Sequence, residues 1–183
     1  MAAAAAHPRG RVHSNVRKPV DSSPRARAYV GVIVGGLSAG VFDIVYAFVL
    51  AAVRGATPLR VLHSVASGLL GASAYKGGVA TGALGLALHL GILVVAAWVY
   101  FVGAKALPLA RRHHLVAGSV FGVLVYLFMN FVVLPLSAVP FKITYTPLVL
   151  VQGFVSHALL VGIPISWSLR RFAFGPHPLE RQP

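Results

Sequence analysis

The 183-residue sequence contains no cysteine and only three acidic residues, against sixteen lysines and arginines. The lack of cysteine excludes disulfide bonds, thiolate metal ligands and cysteine nucleophiles, and it leaves the redox compartment open. Charged residues make up only 10% of the chain, whereas a typical soluble domain has roughly 25%. Because 57% of the residues are hydrophobic and the mean hydropathy is +0.81, we expect one domain that is surrounded by lipid.

Two further absences bear on function. The sequence has neither an H-E-x-x-H zinc motif nor a P-loop, and one acid within the apolar segments cannot provide paired-carboxylate catalysis. A formal charge of +13 is typical of nucleic-acid binders, but here the basic residues stand between long apolar runs. The composition therefore predicts a non-enzymatic membrane protein without a nucleic-acid partner.

Four apolar runs, residues 28–53, 77–104, 115–141 and 143–169, carry a single charge between them, Asp43. A membrane crossing needs about 20 apolar residues in a helix, so each run is long enough. The absence of alternation favours helices over strands. The predicted fold class is an all-α integral membrane protein with four transmembrane helices. Residues 28–172 form the membrane domain, residues 1–27 a disordered basic tail and residues 173–183 a second tail.

The segment between the first two runs is harder to assign. Thr57-Pro58 is typical of a helix start and Gly77-Gly78 of a helix end. The uncharged part, residues 61–75, is short for a crossing and has apolar residues on one face. We therefore predict an amphipathic helix at the membrane surface or a re-entrant helix, with its His63 in contact with water.

The basic residues are distributed unequally between the two sides that four crossings define. The side with both tails and the loop of residues 105–114 has twelve basic residues, and the other side has four. The positive-inside rule then predicts cytoplasmic termini in a bacterial inner membrane. Trp98 and Trp167 lie toward this same side, and Arg111 and Arg112 in its loop are expected to contact anionic lipid head groups.

The most informative pattern is a set of four polar residues, one in each predicted helix. Asp43, His89, Asn130 and His157 all fall within roughly 5 Å of one depth at 1.5 Å per residue. Polar and ionisable groups at membrane depth are rare, so we predict an intramembrane cluster of these four. Two more polar residues share the face of His157 in the fourth helix, Gln152 and Ser156. Four glycines at small-xxx-small spacing are predicted to pack helices together: Gly36, Gly40, Gly118 and Gly122.

Several interpretations of this cluster stay open. Asn130, Gln152 and Ser156 are typical of hydrogen bonds between helices, and Asp43 with a histidine could be a structural pair. A titrating cluster of Asp43, His89 and His157 would suit a proton- or small-solute-responsive protein. His89 and His157 could instead bind haem b or a metal ion. The glycine faces could also bind another membrane protein or a second copy of the chain.

The order of motifs resembles a known family. The second apolar run has a central histidine, and R-R-H-H-L-V-A-G-S-V-F-G follows it at residues 111–122. The third run ends in P-L-S-A-V-P at residues 135–140, and the last contains S-H, then a tryptophan and an R-R exit. Over residues 28–172 this layout resembles the YagU-like bacterial inner-membrane proteins. The resemblance implies a multi-pass protein connected with acid or envelope stress, and it supplies no catalytic residues.

Overall fold

The structure is a computed structural model that describes residues 23–142 and 144–175, and this part of the chain is helical without strands. Its helices are α1 (Pro24–Val53), α2 (Pro58–Leu70), α3 (Gly78–Ala106), α4 (Pro108–Arg112), α5 (His114–Leu136) and α6 (Pro147–Phe172), with a 3₁₀ helix at Gly71–Lys76. Helices α1, α3, α5 and α6 are long and apolar enough to cross a membrane, as the sequence predicts. The predicted tails lie mostly outside the described residues.

A Ser or Thr followed by proline begins three of these helices. Ser23, Thr57 and Thr146 each accept a hydrogen bond from a backbone N–H three residues later, at 3.2–3.3 Å. Proline at the next position suits the first helical turn because that N–H has no helical partner. The last predicted span is therefore corrected: its helix begins at Pro147, four residues later than expected.

The third span also ends earlier than predicted, at Leu136 and not near Phe141. The Ser137 hydroxyl donates to the Leu134 carbonyl at 2.7 Å, and the Ala138 N–H donates to the Gly68 carbonyl of α2 at 2.9 Å. Because Ala138 has a partner in another helix, the chain leaves α5 at this point and packs along α2.

Two of the long helices contain a stretch of π-helix, Met129–Val133 in α5 and His157–Gly162 in α6. Each stretch ends two residues before a proline, Pro135 and Pro164 respectively. Proline lacks the N–H that would bond to the carbonyl four residues earlier, so the α-helical pattern cannot continue unchanged through it. The residues after each stretch therefore face a different direction from the one that regular helical spacing predicts.

The four long helices form a bundle in which α1 packs between α3 and α6, and α5 packs on the other side of α6. The core between α1, α3 and α6 includes Ala39, Leu93, Ala97 and Ile165. Helices α3 and α5 contact each other through Tyr100 and Phe121, whose ring centroids are 5.1 Å apart. Farther along, a cavity separates the two helices.

Glycines allow the helix backbones to touch. A Cβ on Gly36 of α1 would lie 2.9 Å from the Leu93 carbonyl oxygen of α3, and a Cβ on Gly40 would lie 2.7 Å from the Leu90 side chain. In α5, a Cβ on Gly118 or Gly122 would overlap the backbone or side chains of the π-helical part of α6 and the turn after it. All four glycines predicted for helix packing therefore lie at close contacts between helices.

Helix α2 lies across the first turns of α3, where Gly85 leaves room for the Leu62 backbone. Its buried residues are His63, Ala66 and Ser67. On this helix Leu69 is 64% exposed, whereas Ser67 is buried. His63 was expected to be in contact with water, but it is buried. It is 7% exposed, and its Nε2 lies 2.7 Å from the Gly78 carbonyl oxygen.

The two ends of the bundle differ in charge. One end, called the basic end here, has the start of α1, the end of α3, α4, the start of α5 and the end of α6. Its basic residues within the described chain are Arg25, Arg27, Lys105, Arg111, Arg112, Arg170 and Arg171. The opposite end, called the loop end, contains α2 and has Arg54, Arg60, Lys76 and Lys142.

Backbone contact at Gly122 can be tested with alanine. We expect Gly122→Ala to lower the free energy of unfolding by about 1–3 kcal/mol, because the new Cβ would overlap the His157 carbonyl oxygen. The matched control is Gly91→Ala in α3, where nothing lies within 4 Å of the Cβ position. Thermal unfolding in detergent measures both. Equal effects of the two variants would contradict the packing described for α5 and α6.

Candidate functional site

A cavity of about 460 Å³ lies between α3 and α5 on the loop-end side of the bundle. Helices α1 and α6 form its inner walls, and α2 with residues 137–141 covers it from the loop end. Three titratable side chains line it: Asp43 from α1, His89 from α3 and His157 from α6. The other lining residues described are apolar or are serine and glycine. We call these three residues the Asp–His–His cluster.

Asp43 and His89 form the closest charged contact of the cluster. The Nε2 atom of His89 lies 3.8 Å from an Asp43 carboxylate oxygen and 3.0 Å from the Gly40 carbonyl oxygen. The side chains are 12% (His89) and 15% (Asp43) exposed. The ring N–H therefore donates to the α1 backbone, with the carboxylate one helical turn further along. A proton on the second ring nitrogen would turn the carboxylate contact into an ion pair.

His157 is positioned by its own helix and by α5. Its Nδ1 lies 3.1 Å from the Gly153 carbonyl oxygen and 3.3 Å from the Ser156 hydroxyl. The ring packs edge-on against Tyr126, with 5.0 Å between the centroids. With Nδ1 engaged on α6, Nε2 is the ring nitrogen left for a partner in the cavity.

The remaining predicted members do not join the cavity lining. The Asn130 side chain donates from Nδ2 to the Tyr126 carbonyl at 2.9 Å. The backbone carbonyl of Asn130 accepts from the Tyr145 hydroxyl at 3.0 Å. Asn130 lies at the start of the π-helical stretch of α5, and its side-chain amide is held by the preceding turn of the same helix. Gln152 is half-buried and lies outside the cavity, whereas Ser156 is buried beside His157. Three of the four predicted polar residues therefore line one cavity, and Asn130 does not.

Ser64, Gly68 and Ser137 were not predicted as site residues, but they line the cavity from α2 and from the segment after α5. The i, i+4 spacing of Ser64 and Gly68 could have indicated a small, polar face on α2. We expected no G-x-S-x-G motif, but residues 36–40 read G-L-S-A-G, which has the letters of a serine nucleophile turn. Here it lies within α1, and the Ser38 hydroxyl donates to the Gly35 carbonyl at 3.1 Å. It is therefore a packing feature.

The geometry also bears on the haem and metal alternatives. Within the described residues, no group of three or more His, Asp or Glu side chains is arranged to hold a metal ion. Axial coordination of haem needs a ring nitrogen without a proton, but Nε2 of His89 donates to the Gly40 carbonyl. A haem iron on His89 would therefore have to bind Nδ1, and the haem alternative stays a prediction.

Comparison with known proteins gives no assignment. No family model matches the chain, and neither a curated protein nor a solved structure matches it. The resemblance to the YagU-like proteins therefore stays a prediction.

A double-mutant cycle tests whether Asp43 and His89 interact. We expect Asp43→Asn and His89→Gln to be non-additive at pH 6, with a coupling of about 1 kcal/mol in thermal or denaturant unfolding. Both substitutions keep size and hydrogen-bonding atoms while removing the titrating group. The matched control pairs Asp43→Asn with His63→Gln, since His63 is also buried but does not line the cavity. Additivity in both cycles would mean that Asp43 and His89 act independently.

Proposed function

We propose that the protein is a multi-pass membrane protein of the bacterial inner membrane, with the basic end in the cytoplasm. Large apolar side chains are exposed along all four long helices, including Val45, Val95, Val120 and Leu159. A contiguous exposed surface of this kind is stable in lipid and prone to aggregation in water. The choice of a bacterial membrane rests on the YagU-like resemblance.

The orientation follows from charge. Seven basic residues of the described chain lie at the basic end and four at the loop end. Over the whole sequence the numbers are twelve and four. Basic residues near membrane helices are retained in the cytoplasm, so the loop end, with α2 over the cavity, faces outward.

Within this framework we propose that the Asp–His–His cluster makes the protein responsive to protons or to a small solute, without enzymatic activity. The observation that carries the proposal is the shared cavity, in which one carboxylate and two imidazoles from three helices lie among apolar walls. Histidine changes its charge between pH 5 and 8, and a nearby carboxylate couples the two protonation events. Ionisable groups at membrane depth are costly and commonly functional.

The geometry suggests how a proton would act. With neutral His89, α3 is joined to α1 by the hydrogen bond to the Gly40 carbonyl. Protonated His89 would also attract the Asp43 carboxylate, 3.8 Å away, and so add an electrostatic attraction between α1 and α3. His157 on the opposite wall provides a second protonation site that is linked to α5 through Tyr126. Protonation would therefore change the forces between helices around the cavity.

The alternative of a structural or assembly partner is less well supported. The four glycines that would form its docking faces, Gly36, Gly40, Gly118 and Gly122, are occupied by helices of the same chain. Packing within the chain already accounts for these four glycines, so they do not indicate a docking face for a partner. The cavity therefore carries the proposal.

Reporter fusions test the membrane orientation. We expect a reporter fused after Pro183 to be active only in the cytoplasm, and one inserted at Thr144 to be active only outside it. The reason is that three of the four long helices separate Thr144 from the start of α1. Two fusions that report the same side would contradict four crossings, and exchanged sides would contradict the proposed orientation.

Cysteine labelling tests the proton response. Ser64→Cys places a thiol in the cavity wall, and Ser73→Cys places one on the exposed 3₁₀ helix of the same segment. We expect the Ser64/Ser73 ratio of labelling rates by an impermeant maleimide to change between pH 5 and 8. Dividing by the rate at Ser73 removes the pH dependence that the two thiols share, and the Asp43→Asn background below separates the rest.

The same ratio should lose its pH dependence when Asp43→Asn is added, because protonated His89 then has no carboxylate to attract. His63→Gln serves as the control and should leave the dependence intact. A ratio that is constant with pH in the wild-type background would refute proton responsiveness of this cavity.

A further inference from the structure

A second cavity, of about 840 Å³, lies at the basic end, far from the Asp–His–His cluster. Four arginines line it, Arg111 and Arg112 from α4 and Arg170 and Arg171 from the last turn of α6. We call it the arginine cavity. Its remaining lining includes His114 and Trp167. The two arginine pairs come from separate elements and face one volume.

These guanidinium groups have no acidic partner in the part of the chain that the structure describes. Asp43 is the one acid among the described residues, and it lies in the other cavity. The contacts of the arginines are neutral: Arg170 donates to His114 Nδ1 at 2.8 Å, and Arg111 lies 5.7 Å from the centre of the Phe174 ring. The four guanidinium groups around one volume repel each other, so an anion that binds between them would reduce this repulsion.

The chemistry of the site favours phosphate. Guanidinium groups present N–H donors in a planar fork that matches phosphate oxygens and can bind them with two parallel hydrogen bonds. Two arginine pairs on two elements fit two phosphate groups held at once. A carboxylate ligand would use fewer of the available donors.

The surroundings favour a lipid as the source of these phosphates. Trp167 lines the cavity and is 58% exposed, and tryptophan side chains are enriched at the level of the lipid head groups. Large apolar side chains next to the cavity are also exposed, among them Leu109 and Leu115. They would contact acyl chains while the arginines bind the head group. Basic pockets between membrane helices on the cytoplasmic side are suited to such lipids.

We propose that the arginine cavity binds the head group of an anionic lipid with two phosphodiesters, such as diphosphatidylglycerol. This site extends the expected lipid contact of Arg111 and Arg112 to a defined pocket completed by Arg170 and Arg171. The inference rests on the proposed membrane location and is independent of the proton response.

Lipid binding to the purified full-length protein tests the proposal. The protein in detergent is titrated with diphosphatidylglycerol, with phosphatidylglycerol at equal total charge and with phosphatidylcholine, and bound lipid is counted by native mass spectrometry. We expect the two-phosphate lipid to bind tightest. Arg170→Gln/Arg171→Gln and Arg111→Gln/Arg112→Gln should each weaken it by about thirtyfold for two lost arginines.

The matched control is Arg54→Gln/Arg60→Gln, which removes the same charge at the loop end and should leave binding unchanged. Arg170→Lys/Arg171→Lys keeps the charge but loses the planar fork, so it should reduce the preference for two phosphates. Thermal unfolding without lipid checks that each variant is folded. If a variant is not, the lysine pair and the wild-type lipid preference still decide the question.

Three results would overturn the proposal. Equal binding of the two anionic lipids would mean attraction by charge alone, and equal losses in the loop-end control would mean that the cavity is irrelevant. Complete displacement of the lipid by millimolar inorganic phosphate would indicate a soluble phosphate as the ligand. Because binding is measured in detergent, these results do not depend on the orientation that the fusions report, so the two proposals can fail separately.

Discussion

Contact between helix backbones at glycine sets the spacing on which the rest of this structure depends. Gly36 allows α1 to lie against α3 closely enough for the Gly40 carbonyl to reach His89. Gly122 allows α5 to lie against the His157 backbone. In lipid there is little hydrophobic gain from bringing helices together, so close packing supplies much of the association energy. The polar cavity therefore exists because small residues elsewhere hold its walls in place.

Among the described residues, few side chains of the long helices donate a hydrogen bond to another long helix, and His89 is one of them. Many of the serines donate to a carbonyl three residues back in their own helix, as Ser38 and Ser166 do. Ser168 and His89 instead donate to carbonyls of α1. Charge is compensated differently at the two sites, since Asp43 lies beside a histidine inside the bundle whereas Arg111 and Arg170 of the arginine cavity contact neutral groups.

Much of the architecture could be predicted because it depends on local properties of the chain. Length and hydropathy predict four helices, and Thr57-Pro58 predicts the start of α2 because both residues act within one helical turn. The unequal distribution of basic residues can be counted without knowing any contact. The similar depth of Asp43, His89 and His157 could be predicted because depth along a straight helix follows from residue number alone.

Contacts between segments that are distant in the chain could not be predicted from these local properties. Asn130 lies outside the cluster because its side-chain amide bonds to the Tyr126 carbonyl of its own helix, and α5 ends at Leu136, where Ala138 bonds to α2. His63 is buried by its fit against α3. By itself the sequence determined which segments are helical, how deep each polar residue lies and which end is basic, since these follow from local composition. Only the tertiary structure decided which side chains meet, because that depends on helix rotation and on close contacts between residues far apart in the chain.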